Sequence, residues 1–599
     1  MPTYRYIPIV AAAHTPPYKI HKYFARRPHN VFEQLIENFS DENELVLDPF
    51  CGGGVTIYEG LRKGRKVIGC DINPLSIFVV GNMIEKDCCN TIFNNVVDDL
   101  TKYIEELYGT SQEIKHGDTT FKILWYELCF EARCPQCGCV TPLSSQTKQR
   151  DGWYFCSNEF CEHHLTAYKA AEVRRCGYRY LYASVAEDHT RKYIEVPSEH
   201  LGILKKHIAH LKQEIVKNSI TVPQDVIPIN WDRQFEDGLS KKGILYFQDF
   251  FTKRNLYILL LLKHKIDSFK GYLTNSQYNL LRLAFSNTLK ETNVMSFTND
   301  GWQGGKPTTW SKHAYWIPNQ FCETNIVDAF KGSIERVRKS VAYNDSYSYV
   351  VKRAREFKDL ILNSNIFLFN GSVVNSGITE NSVDAIITDP PYGSNVQYLE
   401  LSHFWYPWNK DLYGVEPDFT EEAVSNRKKG FQGAKDQYSY EINLYKVFCK
   451  AYEVLKPNRY MTLTFNNKDM SSWLGLLFSI FRAGFSFHDI YFQDGVGNYK
   501  QTAHTKAKGS PYGDFIYVFK KSTPDYELKD YKCEQDFIND LDALFQRELS
   551  SNRSRNDIIL DMMRNAVPLI DGFAKQLPNI GEHNVYRYFP KNYLEKLYK

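Results

Sequence analysis

The sequence predicts an α/β protein with an open, Rossmann-like sheet, interrupted by a large, mostly helical insertion and followed by a helical C-terminal appendage. Three observations carry that expectation. A strand–glycine loop–helix–strand–acid order runs from Glu44 to Asp71. The strand pattern lapses between about 86 and 360 and resumes at Ile366. A second chemistry-bearing turn, Thr388-Asp389-Pro390-Pro391-Tyr392-Gly393, follows the apolar run Ser382–Ile387. The two prolines stop that strand because neither donates a ladder hydrogen bond. The turn therefore falls at a strand's carboxyl end, where open α/β sheets bind ligands.

At 599 residues the chain exceeds a single core, and a prior of roughly 150 residues per domain gives about three. The formal charge of +3 is nearly neutral, so any nucleic-acid contact must come from local patches. Aromatic residues make up 15%, which suits either large cores or base-stacking surfaces. No run of 18 or more apolar residues appears, and Ile258–Leu262 is broken at once by Lys263-His264-Lys265, so no membrane span is expected. Met1-Pro2-Thr3-Tyr4-Arg5 lacks a signal pattern. A cytoplasmic setting is expected, with the 14 cysteines as thiols or metal ligands.

Residues 14–28 are crowded with basic and aromatic groups, a solvated arm or a ligand loop, ahead of an amphipathic helix from about Asn30 to Phe39. The strand Glu44–Leu47 ends in Asp48, and Gly52, Gly53 and Gly54 allow a tight turn and close backbone approach to a ligand. A helix to about Lys63 and the strand Lys66–Cys70 lead to Asp71, the place for a carboxylate that accepts from ribose hydroxyls. Asp48-x-Phe50-x-Gly52-x-Gly54 departs from the dinucleotide fingerprint and lacks the Lys-Ser/Thr of a phosphate loop. A nucleoside cofactor without a pyrophosphate fits better, with S-adenosylmethionine the candidate.

In the insertion, Val96, Val97, Leu100, Ile104 and Leu107 predict a helix over 91–108. The pairs Cys134/Cys137 and Cys156/Cys161 have the spacing of zinc knuckles, with Gly138 permitting the turn. Four thiolates leave no open position, so such a metal is structural; His163 and His164 compete for the fourth place. Helices are predicted over 195–216 and 245–268. Trp302-Gln303-Gly304-Gly305-Lys306-Pro307 and Trp310–Trp316 form either a packed aromatic loop or one that fills the gap left by an extruded base. Lys339 and Lys352-Arg353-Ala354-Arg355 read as a basic helix face suited to phosphates, or simply a solvated one.

The sheet resumes with Ile366–Phe369 and Asn370, then the Asp389 turn. Asp389 and the Pro390 carbonyl can each accept from an exocyclic NH2 while Tyr392 stacks on the ring that bears it; the plainer reading is a proline turn. A helix over Tyr398–Trp405, a loop with Arg427-Lys428-Lys429, and a helix over 438–455 follow. Pro457 is expected to end that helix before the strand Tyr460–Asn466. A helix over Trp473–Ala483 and strands near 485–492 and 514–520 complete the pattern, with His504 and Lys506 in the last loop. Residues 526–599 read as helices carrying no recognisable chemistry.

Together, Asp48-Pro49-Phe50-Cys51-Gly52-Gly53-Gly54 and the distant Asp389-Pro390-Pro391-Tyr392 resemble the amino-group DNA methyltransferases. Ile20-His21-Lys22-Tyr23-Phe24-Ala25-Arg26-Arg27-Pro28 resembles the segment that precedes their cofactor loop. The closer resemblance, over roughly 14–85 and 365–520, is to adenine-specific methylases with a zinc ribbon. It implies an S-adenosylmethionine-dependent methyltransferase fold in two parts, 1–85 and 361–525. Between them would lie a connector (86–125), a zinc-ribbon module (126–180) and a helical DNA-binding insertion (181–360), with an appendage at 526–599. It also implies a cofactor site of His21, Lys22, Asp48, Pro49, Phe50, Cys51, Gly52, Gly54, Asp71, Ile72 and Asn370. The catalytic set would be Asp389, Pro390, Pro391 and Tyr392, and the structural zinc would rest on Cys134, Cys137, Cys156 and Cys161. The implied reaction is methylation of adenine N6 in double-stranded DNA by base flipping, in a nucleoid-associated enzyme of restriction–modification or phage defence. Cytosine N4, an amino group in RNA, and a non-catalytic subunit of a defence complex are the alternatives.

Overall fold

The computed structural model describes residues 9–187, 190–298, 307–467, 469–494, 513–551, 555–576, 583 and 585–589. Seven strands form the central sheet: β1 (Leu45–Asp48), β2 (Lys66–Asp71), β3 (Ile366–Asn370), β4 (Val383–Thr388), β5 (Leu455–Phe465), β6 (Ser486–Asp494) and β7 (Gly513–Lys520). Their spatial order is β3-β2-β1-β4-β5-β7-β6. The first five strands are parallel, and β7 runs antiparallel to both β5 and β6. Chain order reverses at the seam between β1 and β4, so a crevice opens there beyond the strands' carboxyl ends.

Burial explains the strand sequences. Every residue of β4 is buried, as expected where both faces of a parallel sheet are covered. One cover is the helix His29–Phe39, whose Val31, Phe32, Leu35, Ile36 and Phe39 are buried at helical spacing. The expectation at Pro457 is corrected in detail. The helix Gln437–Val454 ends before it, but β5 already starts at Leu455. The register against β4 shifts between Leu455 and Tyr460, and the proline sits in that irregularity, where no ladder bond is required of it.

The insertion also differs from a mostly helical reading. It carries an antiparallel sheet in the order Thr190–Glu195, Arg175–Glu187, Thr119–Arg133, Gln320–Thr324. From Trp125 to Phe130 the long central strand is buried without interruption, so it shows no alternation to read. Helices Thr91–Tyr108, Ser198–Lys217, Lys253–Ser268, Asn275–Glu291 and Ile326–Asp345 contact one another within the same insertion. Lys352–Arg355 is not helical: Ala354 donates to the carbonyl of Ile366, and the segment runs beside the edge strand β3. Arg353 there is bound to the Gly81 carbonyl and Glu85, which corrects its assignment to a phosphate-binding helix face.

A buried ion pair ties helix to sheet in the insertion. Arg254 and Glu323 meet at 2.6 Å with side chains 2% and 0% exposed. Thr252 and Tyr180 also donate to the Glu323 carboxylate. Glu323→Ala strands the guanidinium in the core, at an expected cost of roughly 3–5 kcal/mol; urea unfolding of the variant measures it.

The C-terminal helices Glu534–Leu549 and Arg555–Gln576 pack together, with Phe537 and Phe573 stacked at 4.1 Å. The second of them also contacts the helix Met470–Arg482 and β6. Among the described residues no helix is long and apolar enough to cross a membrane.

Candidate active site

An open cleft lies at the switch point. The loop after β1 (Asp48–Gly53), Asp71 and Ile72 after β2, Gly371 and Ser372 after β3, and Asp389 and Pro391 after β4 all line it. The two chemistry-bearing stretches, more than 300 residues apart in sequence, thus meet in one cavity.

Asp48 fastens them together. Its Oδ1 accepts from the Thr388 hydroxyl at 2.6 Å and from the Phe50 amide at 3.1 Å. Burial raises its pKa to about 7, against the pull of those hydrogen bonds. Gly54 opens the helix Val55–Arg62 in the left-handed region at φ +78°, and a Cβ there would lie 2.6 Å from Val80 Cγ2. Only glycine fits both conditions. Asp71 Oδ2 accepts from the Gly52 amide at 2.8 Å and Oδ1 from the Asn73 amide at 2.8 Å. Burial lifts its pKa to about 6 despite those bonds. Each oxygen retains a lone pair for a further donor.

Asp389 is held on three sides. Oδ1 accepts from the hydroxyls of Tyr392 and Thr464, each at 2.7 Å, and Oδ2 accepts from Arg27 Nε at 2.9 Å. Burial raises its pKa while Arg27 and Thr464 oppose the rise. The turn itself is braced: the Pro391 carbonyl accepts from Tyr440 at 3.0 Å, and the Tyr392 ring packs on Phe465 at 4.6 Å. Gly393 takes φ +59° with Ser472 against the place a Cβ would occupy.

The other predicted site residues fall unevenly. Pro49, Phe50, Cys51, Gly52 and Ile72 line the cleft. Pro390 is buried within the turn, and neither it, Tyr392 nor Gly54 is among the residues that line the cleft. Asn370 pairs in register with Asp71 and donates to its carbonyl at 2.9 Å, so its amide braces the wall that Gly371 and Ser372 complete. His21 and Lys22 do not line the cleft. His21 Nε2 is 3.0 Å from Ser286 Oγ, its ring rests on Trp405, and burial depresses its pKa to about 3. Lys22 lies over Phe24 and Trp310, with burial bringing its pKa to about 7. Both residues anchor the 14–28 segment to the insertion instead. That segment is no solvated arm, because Tyr23, Phe24, Arg26 and Arg27 form one wall of the cleft.

Tyr398, which opens the helix expected over Tyr398–Trp405, lines the cleft, as do Glu421 and Glu422, which escaped sequence reading because no motif marks them. With Asp48, Asp71 and Asp389 they make it rich in carboxylates. Trp310 and Tyr315 are buried, and Trp310 stacks on Trp405 at 5.2 Å, so this part of the aromatic loop is packing. Residues 302–306, and the loop with His504 and Lys506, lie outside the described residues.

In the insertion, the sulfurs of Cys134, Cys137, Cys156 and Cys161 lie within 4.8 Å of one another. Cys137 and Cys156 approach to 3.5 Å, Cys134 and Cys161 to 3.7 Å. A tetrahedral zinc with bonds of about 2.3 Å sets sulfurs about 3.8 Å apart, so the donor set fits the metal. His163 Nδ1 touches the cluster at 3.4 Å from Cys134, whereas His164 Nδ1 is engaged by the Cys156 carbonyl.

Fold and cleft together define a class: open α/β proteins that take a ligand at the topological switch point. Within it, the family model described as DNA methylase, of the N6/N4 type, matches residues 7–77 and 383–566. Those stretches supply the glycine loop, Asp71 and the Asp389 turn and leave the insertion aside. The type II methyltransferase M1.MboII of Moraxella bovis is 43% identical over 47 residues, 8% of this chain and 18% of its own length. The putative methylase YubD of Escherichia coli is 41% identical over 46 residues, 8% of this chain and 20% of its own. The chain thus spans about a fifth of the curated relatives it matches.

Proposed function

We propose that the chain is an S-adenosylmethionine-dependent DNA methyltransferase acting on an exocyclic amino group, adenine N6, in double-stranded DNA. The observation that carries this reading is the convergence of Asp389 with the Asp48 loop and Asp71 on one cleft. S-adenosylmethionine would supply the electrophilic methyl. The carboxylate-rich walls suit its cationic sulfonium and amine, and Asp71 its ribose hydroxyls.

A ring-conjugated amino group is a poor nucleophile because its lone pair is delocalised. Acceptance of its N–H bonds by Asp389 and the Pro390 carbonyl favours a pyramidal nitrogen, with its lone pair free for the methyl, and the proton that the methylated nitrogen sheds would pass along the same hydrogen bond to Asp389. Alignment supplies most of the acceleration. The target atom is inaccessible within a stacked duplex, so the base is flipped out and stacks on Tyr392. The four-cysteine cluster holds a structural zinc, and the insertion grips the duplex. The resemblance read from the sequence extends the proposal to restriction–modification or a related phage defence, with its partner components, and to a cytoplasmic, nucleoid-associated enzyme.

Ultraviolet crosslinking of labelled S-adenosylmethionine tests the cofactor half. Losing the charged acceptor in Asp71→Ala is expected to lower affinity about tenfold or more. For the same reason wild-type affinity falls as pH drops through about 6, where Asp71 protonates. Equal labelling of wild type and variant contradicts the assignment.

A further inference from the structure

Arg27 stands where a target base would have to sit. Its Nε donates to Asp389 Oδ2 at 2.9 Å, and its Nη1 donates to Asp514 Oδ2 at 2.7 Å. Its guanidinium carbon lies 4.9 Å from the centroid of the Tyr392 ring. A guanidinium is flat and rigid and carries its N–H donors in plane. An amino-bearing base is also flat, with its NH2 in plane. Arg27 therefore makes two of the contacts that would hold such a base: a planar group over Tyr392 and an N–H into Asp389.

We propose that Arg27 is a stand-in for the target base in the base-free protein, holding Asp389 and Tyr392 in the receiving geometry until a base displaces it. The inference rests on the reading of Asp389 and Tyr392 as the base site. Asp514 gives the displaced side chain a second anchor, because its bond uses Nη1 and leaves Nε free to move. The ion pair is not sealed in the core: the side chains of Arg27 and Asp389 are 19% and 23% exposed. Exchange with an incoming base therefore does not leave either charge dry. Arg27 is accordingly a positioning residue, and its occupancy of the site weakens base binding by the fraction of time that the site is covered.

The test is equilibrium dialysis of the full chain with labelled 2′-deoxyadenosine and, in parallel, 2′-deoxycytidine. S-adenosylhomocysteine is kept saturating so that neither nucleoside enters the cofactor site. If Arg27 covers the site about 90–99% of the time, Arg27→Ala binds the nucleoside about 10–100-fold more tightly than wild type. Arg27→Lys keeps the charge but not the plane and should also bind more tightly than wild type. Methylguanidinium added to Arg27→Ala should restore the weak binding, an effect that a merely structural role does not produce. Asp389→Asn in the Arg27→Ala background should remove the gain. If Arg27→Ala binds equally or more weakly while Asp389→Asn still costs affinity, the stand-in role falls and the base site survives. If binding ignores Asp389→Asn in every form, the base site falls, and the inference with it.

Discussion

Replacing Asp389 with alanine is expected to lower methyl transfer by on the order of 10²–10³-fold, the usual effect of removing one preorganised polar group from a reacting centre. The half of the cleft proposed for the cofactor does not depend on this side chain. Asp71 is held by the amides of Gly52 and Asn73, and Asp48 by Thr388 and Phe50. The turn keeps its shape because Tyr440 holds the Pro391 carbonyl and Phe465 holds the Tyr392 ring. S-adenosylmethionine affinity is therefore expected to stay at the wild-type level. Single-turnover transfer and cofactor titration on the same preparation separate the two effects. Full activity in Asp389→Ala contradicts the assigned role.

The second large effect concerns the four-cysteine cluster. Protein purified without chelator is expected to carry one zinc per chain, and Cys134→Ser to lose it. A closed thiolate site contributes its binding energy to folding. Around these sulfurs the secondary structure is short: the strands Lys148–Arg150, Trp153–Tyr154 and Tyr168–Lys169 and the four-residue helix His163–Thr166. The apolar cluster there is correspondingly small, made of Cys134, Cys156, Cys161 and Tyr168 with Cys139 and Val173 against it. Such a module cannot be stable on burial alone. Metal removal should therefore expose it to limited proteolysis while leaving the Arg254–Glu323 core protected. Elemental analysis and a protease time course measure both, and metal-free protein with unchanged proteolysis contradicts the assignment.

Local signals were legible where one physical cause dominates. The helix Thr91–Tyr108 coincides with its periodicity because one face is buried and the other solvated. The glycine loop and Asp71 were readable because backbone conformation and charge constrain residue type directly. The sheet of the insertion was hidden because its central strand is covered on both sides. Lys352–Arg355 misled because a run of cations has no periodicity of its own, and here it lies along a sheet edge. His21 was drawn into the cofactor site by its place in a motif, whereas its contacts are to Ser286 and Trp405, far away in sequence. The contact of Arg27 with Asp389 and Asp514 spans 362 and 487 positions. No spacing rule reaches that far; the only local trace was an Arg-Arg-Pro step in an aromatic loop ahead of the glycine turn.

The most direct measurement incubates the purified chain with S-adenosylmethionine and unmethylated genomic DNA, then digests the DNA to nucleosides for mass spectrometry. The expected product is N6-methyl-2′-deoxyadenosine, present with wild type and missing with Asp389→Ala. N4-methyl-2′-deoxycytidine in its place would move the target to cytosine within the same chemistry. No methylated nucleoside from wild type, or an equal yield from the variant, would contradict the account.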